Sequence, residues 1–583
     1  MCIAPIDTFN DITAMERQRI RCGQRYSNRS RLLQTALLWA AGWLLAIPGI
    51  AQSPLTDAPE TRAEPLSGLT ERGAYRVILE PQERDQPIPV GRLHAWEVTV
   101  ETADGERFIP GQISIGGGMP AHGHGLPSAP AVTRHLGNGR FLIEGMLFNM
   151  TGAWQLRLAI TGPAGLDHYV RSLQLSAPLP EPPVPEHIAE LPSPETAALS
   201  PAEVAIVRSL SLSSLTLPAD SGSNRLLGDP DAIALGRRLF ADPGLSATGT
   251  ISCSTCHQPE RAFTDGKTRA FGTAAGPRNA PSLVGVRYSP WLYWDGRRDS
   301  LWAQALTPFE TPGEMDNNRT DVVRYLLEHE SYRPALKQWD TRADPLSDSR
   351  RFPPGAGPYA QGPGKIAWQR MDAGDRALVN SIFVLAGKAL AAYEYTLMPS
   401  MTRFDRFADS LSTAGATHSK ADFTAAELRG LQLFIDPQRS RCLQCHNGPL
   451  FSNQGFHNIG TGAAADGSFD YGRAFGLQTA LFNPFNCRSE FSDDQSCAHV
   501  VFAQTSEQPG SMNGAFKVPG LRNLAQTGPY LHDGRHASLA EVLRWYNKPP
   551  AAADSGHELL PLDLEPSELK DLEAFLLTLS GNP

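Results

Sequence analysis

Short alternating runs of apolar and polar residues occupy the chain from about Tyr75 to Leu175, as in Trp96-Glu97-Val98-Thr99-Val100 and Phe141-Leu142-Ile143-Glu144, and Gly and Pro break them. A period of two puts alternate side chains on one face, so these runs predict a small antiparallel β-sandwich over 70–178. Residues 177–201 hold eight Pro among Ala, Glu and Ser, which predicts a semi-rigid linker over 179–224. Beyond it the spacing becomes helical. Asp229-Pro230 caps a helix ending near Phe240, and Thr424-x-x-Glu427 is a capping box before Leu428–Phe434. Leu569, Leu572, Phe575, Leu576 and Leu579 then recur at helical intervals before Gly581.

The helical part repeats. Leu239-Phe240-Ala241-Asp242-Pro243 precedes Cys253 as Leu433-Phe434-Ile435-Asp436-Pro437 precedes Cys442, and Pro281–Leu306 aligns without a gap on the chain from Pro519 at a constant offset of 238. Two copies of one helical unit follow, bounded at 225–420 and 421–583.

The chain has 583 residues with 52 Lys+Arg against 61 Asp+Glu, a net charge of −9 that excludes a generic nucleic-acid binder. Residues Arg17 to Arg31 carry six Arg and precede the apolar run Leu32–Ile50, which closes on Gly49-Ile50-Ala51. That order reads as a secretory signal over 1–51, cleaved after Ala51, and places the chain in the periplasm. The run also approaches the length of an uncleaved anchor helix; no later segment approaches ~20 uninterrupted apolar residues, so no further span is expected.

Eight Cys are too few for a disulfide framework, and they fall as Cys2/Cys22, Cys253/Cys256, Cys442/Cys445 and Cys487/Cys497. The last pair reads as a local disulfide closing an insertion over 461–512, metal binding being the lesser alternative. The two central pairs are different: Cys253-Ser254-Thr255-Cys256-His257 and Cys442-Leu443-Gln444-Cys445-His446 are both C-x-x-C-H. This spacing lets two thiolates bond one haem while the adjacent His ligates its iron. A thioredoxin-type pair or half a zinc site is the rival, disfavoured by the duplicated His. The fold expected is mainly α, two cytochrome c-like helical haem domains preceded by the sandwich.

The repeat also bears on the far face of each iron. Applying the offset to Tyr546 gives Pro308, and only Tyr546 can offer an oxygen. One haem, on His257, would then be open to peroxide, and one, on His446 and Tyr546, closed. Tyr546 as an ordinary helix aromatic is an equal alternative.

Around these motifs stand Phe263-Thr264-Asp265-Gly266, Trp294-Asp295-Gly296-Arg297, Gln304-Ala305-Leu306-x-Pro308, Pro312-x-Glu314-Met315 and Pro529-Tyr530-Leu531-His532-Asp533-Gly534. Residues 225–583 thereby resemble bacterial dihaem cytochrome c peroxidases and the related MauG enzymes. The resemblance implies that Glu314, Gln304 and Pro308 line a peroxide pocket and that Trp294 lies between the haems. It further implies that Asn279, Thr527 and Pro529 supply oxygens to a calcium ion. The absence of His between His257 and His329, and Tyr rather than Met at 546, point to the MauG-like branch. Without the resemblance, Glu314 reads as a surface carboxylate and Trp294 as a core side chain.

The sandwich resembles YtkA-like periplasmic domains. Its loop carries Met119, His122 and His124, ligands suited to copper, or is a plain turn of a docking module. The sequence thus predicts a dihaem peroxidase that uses hydrogen peroxide to oxidise a partner protein. The alternatives are a cytochrome c peroxidase drawing electrons from a small redox protein, and a non-catalytic electron-transfer cytochrome with a copper module.

Overall fold

A computed structural model describes residues 65–581 apart from the segments 84–86, 91–93, 120–123, 127–129, 149–150, 176–198, 216–221, 412–422, 465–466, 496–511 and 551–556. The signal expected over 1–51 lies outside the described residues. Alternation in the first part produces strands: β1 Leu66–Leu69, β2 Tyr75–Pro81, β3 His94–Thr102, β4 Gln112–Met119, β5 His124–Gly125, β6 Ala131–Gly137, β7 Arg140–Met146, β8 Gly152–Gly162 and β9 Gly165–Leu175. They form two antiparallel sheets, ordered β1-β2-β3-β7-β6 and β5-β4-β8-β9. Trp96, Val98 and Val100 of one sheet share a buried core with Trp154, Leu156, Leu158 and Ile160 of the other. This is the packing that period-two patterning dictates.

The helical part contains α1 Pro201–Ser209, α2 Pro230–Ala241, α3 Leu301–Glu310, α4 Ala373–Glu394, α5 Arg403–Ser410, α6 Ala425–Ile435, α7 Arg473–Leu481, α8 Leu539–Asn547 and α9 Pro566–Leu577, besides shorter pieces and the helices Arg319–Glu328, Arg333–Trp339 and Pro363–Arg370. The expected caps are present. Asp229 accepts from Asp231 N–H at the start of α2, and Thr424 and Glu427 close the reciprocal box on α6. α4 is apolar and long enough to cross a membrane, but most of it is buried in the core of the first helical unit.

Each repeat has a close helix crossing at a glycine in the same place. A Cβ on Gly236 of α2 would strike the Ala389 carbonyl of α4, and one on Gly430 of α6 would strike the Asp571 carbonyl of α9. Glycine lets the backbones approach, and the flanking apolar faces bury against each other.

The second core reaches outside its own repeat. α1, from the stretch read as a linker, and α5, from the end of the 225–420 segment, pack with α6, α8 and α9 through Val207, Leu210, Phe404, Phe407 and Phe434. A buried ion pair ties them: Arg522 makes two bonds of 2.9 Å to Asp405 and others to the Pro449 and Leu210 carbonyls, while Asp405 accepts from Leu212 N–H. Burial would raise the Asp405 carboxyl, but Arg522 outweighs it and holds it below the usual range. Arg522→Met leaves that carboxylate buried without its counter-charge. The expected cost is about 3–5 kcal/mol, read as a lower denaturant midpoint at unchanged slope.

Candidate active site

Both C-x-x-C-H motifs fold as single turns, with His257 N–H bonded to the Cys253 carbonyl at 2.9 Å and His446 N–H to the Cys442 carbonyl at 2.8 Å. None of the four cysteines is in a disulfide. The imidazoles are oriented alike. His257 Nδ1 lies 3.0 Å from the Phe263 carbonyl and His446 Nδ1 lies 2.9 Å from the Phe451 carbonyl. A carbonyl only accepts, so each Nδ1 carries the proton and each Nε2 is left with its lone pair. Phe263 and Phe451 both adopt left-handed backbone, at φ 60 and 54, which turns these carbonyls onto the rings. Burial pushes His257 below its ordinary value and His446 down to about 4, which favours the neutral form that a metal takes.

Between the two imidazoles lies one cavity of about 750 Å³ that both of them line. Its walls obey the repeat. The bridges Leu292 to Arg298 and Tyr530 to His536 coincide at the offset of 238, as do left-handed Tyr293 and Leu531 at φ 70 and 72. Ser300 and Ser538 start α3 and α8 in the same register, which puts Pro308 and Tyr546 at equivalent positions. The copies then exchange hydrogen bonds: Asn279 N–H donates to the His532 carbonyl and Lys517 N–H to the Trp294 carbonyl, both at 2.7 Å. Asn279 and Lys517 are repeat mates, and so are Trp294 and His532, so the two halves meet about a pseudo-two-fold.

Among the residues singled out from sequence, Gln304, Trp294, Asn279, Thr527, Pro529, Tyr546, Cys442 and Cys445 line this cavity; Cys253, Cys256, Pro308 and Glu314 do not. Trp294 donates its indole N–H to the Asn279 carbonyl at 2.9 Å, and the Asn279 amide donates to the Lys267 carbonyl at 2.6 Å. Glu314 sits in the loop after α3, near enough to Cys253, Cys256 and Tyr293 for its charge to act on all three. Burial raises its carboxyl, against the pull of Arg297 and Arg298. Burial raises the Tyr546 hydroxyl too, with the Cys445 and Cys442 sulfurs close by. Gln304 leaves its Oε1 buried without a hydrogen-bond partner.

The rest is dispersed. Met119 is buried in the sandwich core, His124 pairs with it across β4 and β5, and His122 lies outside the described residues. Cys487 is disulfide-bonded; Cys497 lies outside the described residues. Reading by motif gave no role to four cavity residues. Lys517, its amine pushed down to about 8 by burial, and His532, stacked on Phe516 at 3.6 Å, follow from extending the repeat to the mates of Asn279 and Trp294. His457, bonded to Glu558 at 2.6 Å, carries no such signal. The fourth, Tyr293, stands beside a motif residue.

The family described as Di-haem cytochrome c peroxidase matches residues 230–412. The methylamine utilization protein MauG of Methylorubrum extorquens is 30% identical over 61% of this chain and 79% of its own. The chain belongs to the MauG and dihaem cytochrome c peroxidase family. This dihaem peroxidase is also 29% identical to the cytochrome-c peroxidase IdrP2 of Denitromonas iodatirespirans, over 61% of this chain and 83% of that one. The diheme peroxidase BthA of Burkholderia thailandensis superposes with a TM-score of 0.44 at 22% identity, covering 62% of this chain and 89% of that chain.

Membership implies two c-type haems, and the residues fit them: four cysteines outside any disulfide in the required spacing, two imidazoles with Nδ1 already satisfied, and a shared cavity with an unpartnered amide oxygen. Replacing Cys442 and Cys445 together by Ser is expected to lower covalent haem from two to one per chain in a pyridine haemochrome assay. Two retained haems would show that attachment lies elsewhere.

Proposed function

We propose that this enzyme is a MauG-like peroxidase of the periplasm: hydrogen peroxide reacts at the His257 end of the cavity, and the oxidising equivalents leave through the His446 end to a partner protein. The observation that carries the reading is the shared register of α3 and α8. At the position where Tyr546 could place a hydroxyl over the second site, the first has Pro308, whose ring holds no donor atom. When bound, the haems would supply the iron that reacts with peroxide and storage for two oxidising equivalents.

The side chains have the remaining tasks. Reducing peroxide to two waters takes two electrons and two protons, and a proton must reach the leaving oxygen. Glu314, raised by burial and restrained by Arg297 and Arg298, suits that transfer. Gln304, with Oε1 unpartnered, can orient what enters. Trp294 is fixed by its indole bond to Asn279 and by the bond from Lys517 to its carbonyl, which suits an aromatic relay between the two ends. Asn279, Thr527 and Pro529 line the same cavity and would offer oxygens to calcium.

Glu314→Gln should slow the reaction with peroxide by about 10²–10⁴-fold at unchanged resting spectrum. The wild-type rate should fall on the acid side at a pH above the ordinary Glu value, because protonation removes the base, and the variant should lack that limb. Unaltered kinetics would remove Glu314 from the proton path. Tyr546→Phe should change the spectrum of the His446 haem alone; an unchanged spectrum would contradict the register argument.

A further inference from the structure

At two repeat positions the copies exchange their phenols. Position 308/546 is Pro in the first copy and Tyr in the second, whereas position 293/531 is Tyr in the first and Leu in the second. Tyr293 and Leu531 share the same left-handed backbone and both line the cavity. A non-glycine residue in that region is strained, and such strain persists where the surroundings hold a side chain in place. The first haem site, which lacks a tyrosine on its helix, therefore has one on its loop.

The surroundings of Tyr293 define what its hydroxyl can do. Gln304 Nε2 donates to its oxygen over a long 3.5 Å, so the phenolic hydrogen is not used in that bond. The Arg297 guanidinium lies 3.6 Å from the ring centroid, a cation over the face that disfavours electron loss from the ring. Burial, with the charge of Glu314, pushes the hydroxyl up to about 12, which keeps it a phenol. Radical and phenolate roles are both discouraged, and a donor role is left.

We infer that Tyr293 is the hydrogen-bond donor of the peroxide pocket, its hydroxyl directed with Gln304 at the small oxygen or halide ligand held at the His257 end. The inference rests on the open first site proposed above. It adds the group that would hold the outer oxygen of peroxide within reach of Glu314.

Fluoride tests it without turnover, because the bound ion accepts hydrogen bonds and does not react. The ferric dihaem protein, checked for two covalent haems per chain, is titrated with sodium fluoride and followed by its visible spectrum. Tyr293→Phe should weaken fluoride binding about tenfold or more, the loss of one hydrogen bond to a charged acceptor. Tyr293→Leu, which copies the residue already tolerated at 531, should do the same and covers a Phe variant that fails to fold. Wild-type affinity in both variants overturns the donor role while leaving the open site intact. Fluoride binding that appears only in the variants would mean that Tyr293 itself occupies the axial position, which also overturns it. No binding by any form removes the open site, and the donor role falls with it.

Discussion

Two peptide hydrogen bonds organise the catalytic half of this protein. Asn279 donates to His532 and Lys517 donates to Trp294, each across the boundary between repeats and each at 2.7 Å. A buried peptide group must find a partner. Here the loops that wall the two haem sites satisfy one another, so neither loop can shift without breaking a bond in its counterpart. One cavity reaches both C-x-x-C-H turns. On that near-symmetric backbone the side chains differ in pairs: Trp294 against His532, Asn279 against Lys517, Tyr293 against Leu531, Pro308 against Tyr546. In the proposed reading, division of labour between the haem sites follows from those substitutions, with no change of architecture.

The frame around the cavity is less symmetric. The second core draws in α1 and α5 through the Arg522–Asp405 pair, so a helix that precedes the first haem motif in sequence stabilises the second in space. The sandwich is joined to the same side. Asn447, directly after His446, donates its amide to the Leu126 carbonyl of the sandwich at 2.9 Å, and both groups are buried. The β-domain thus rests against the second attachment loop, the end through which oxidising equivalents are proposed to leave.

Much of this was legible in the chain. Period-two runs marked the strands, capping residues marked α2 and α6, and the C-x-x-C-H pairs with the offset of 238 located both sites and the Pro308/Tyr546 contrast. What escaped had physical reasons. The segment 179–224 looks like a linker whether or not nine of its residues form α1, because that helix is stabilised by a core it meets only in three dimensions. His457 and Glu558 are distant in sequence, and only the fold makes them partners. Tyr293 looked like a neighbour of the motif tryptophan, and its left-handed backbone, invisible in sequence, is what brings its side chain to the cavity.

The central claim is that one backbone plan holds two unlike iron sites, one open at the position of Pro308 and one closed by Tyr546. Electron paramagnetic resonance of the resting ferric protein at low temperature tests it most directly. The account predicts one high-spin and one low-spin haem in equal amounts, before any reductant or peroxide is added. Two low-spin haems would contradict it.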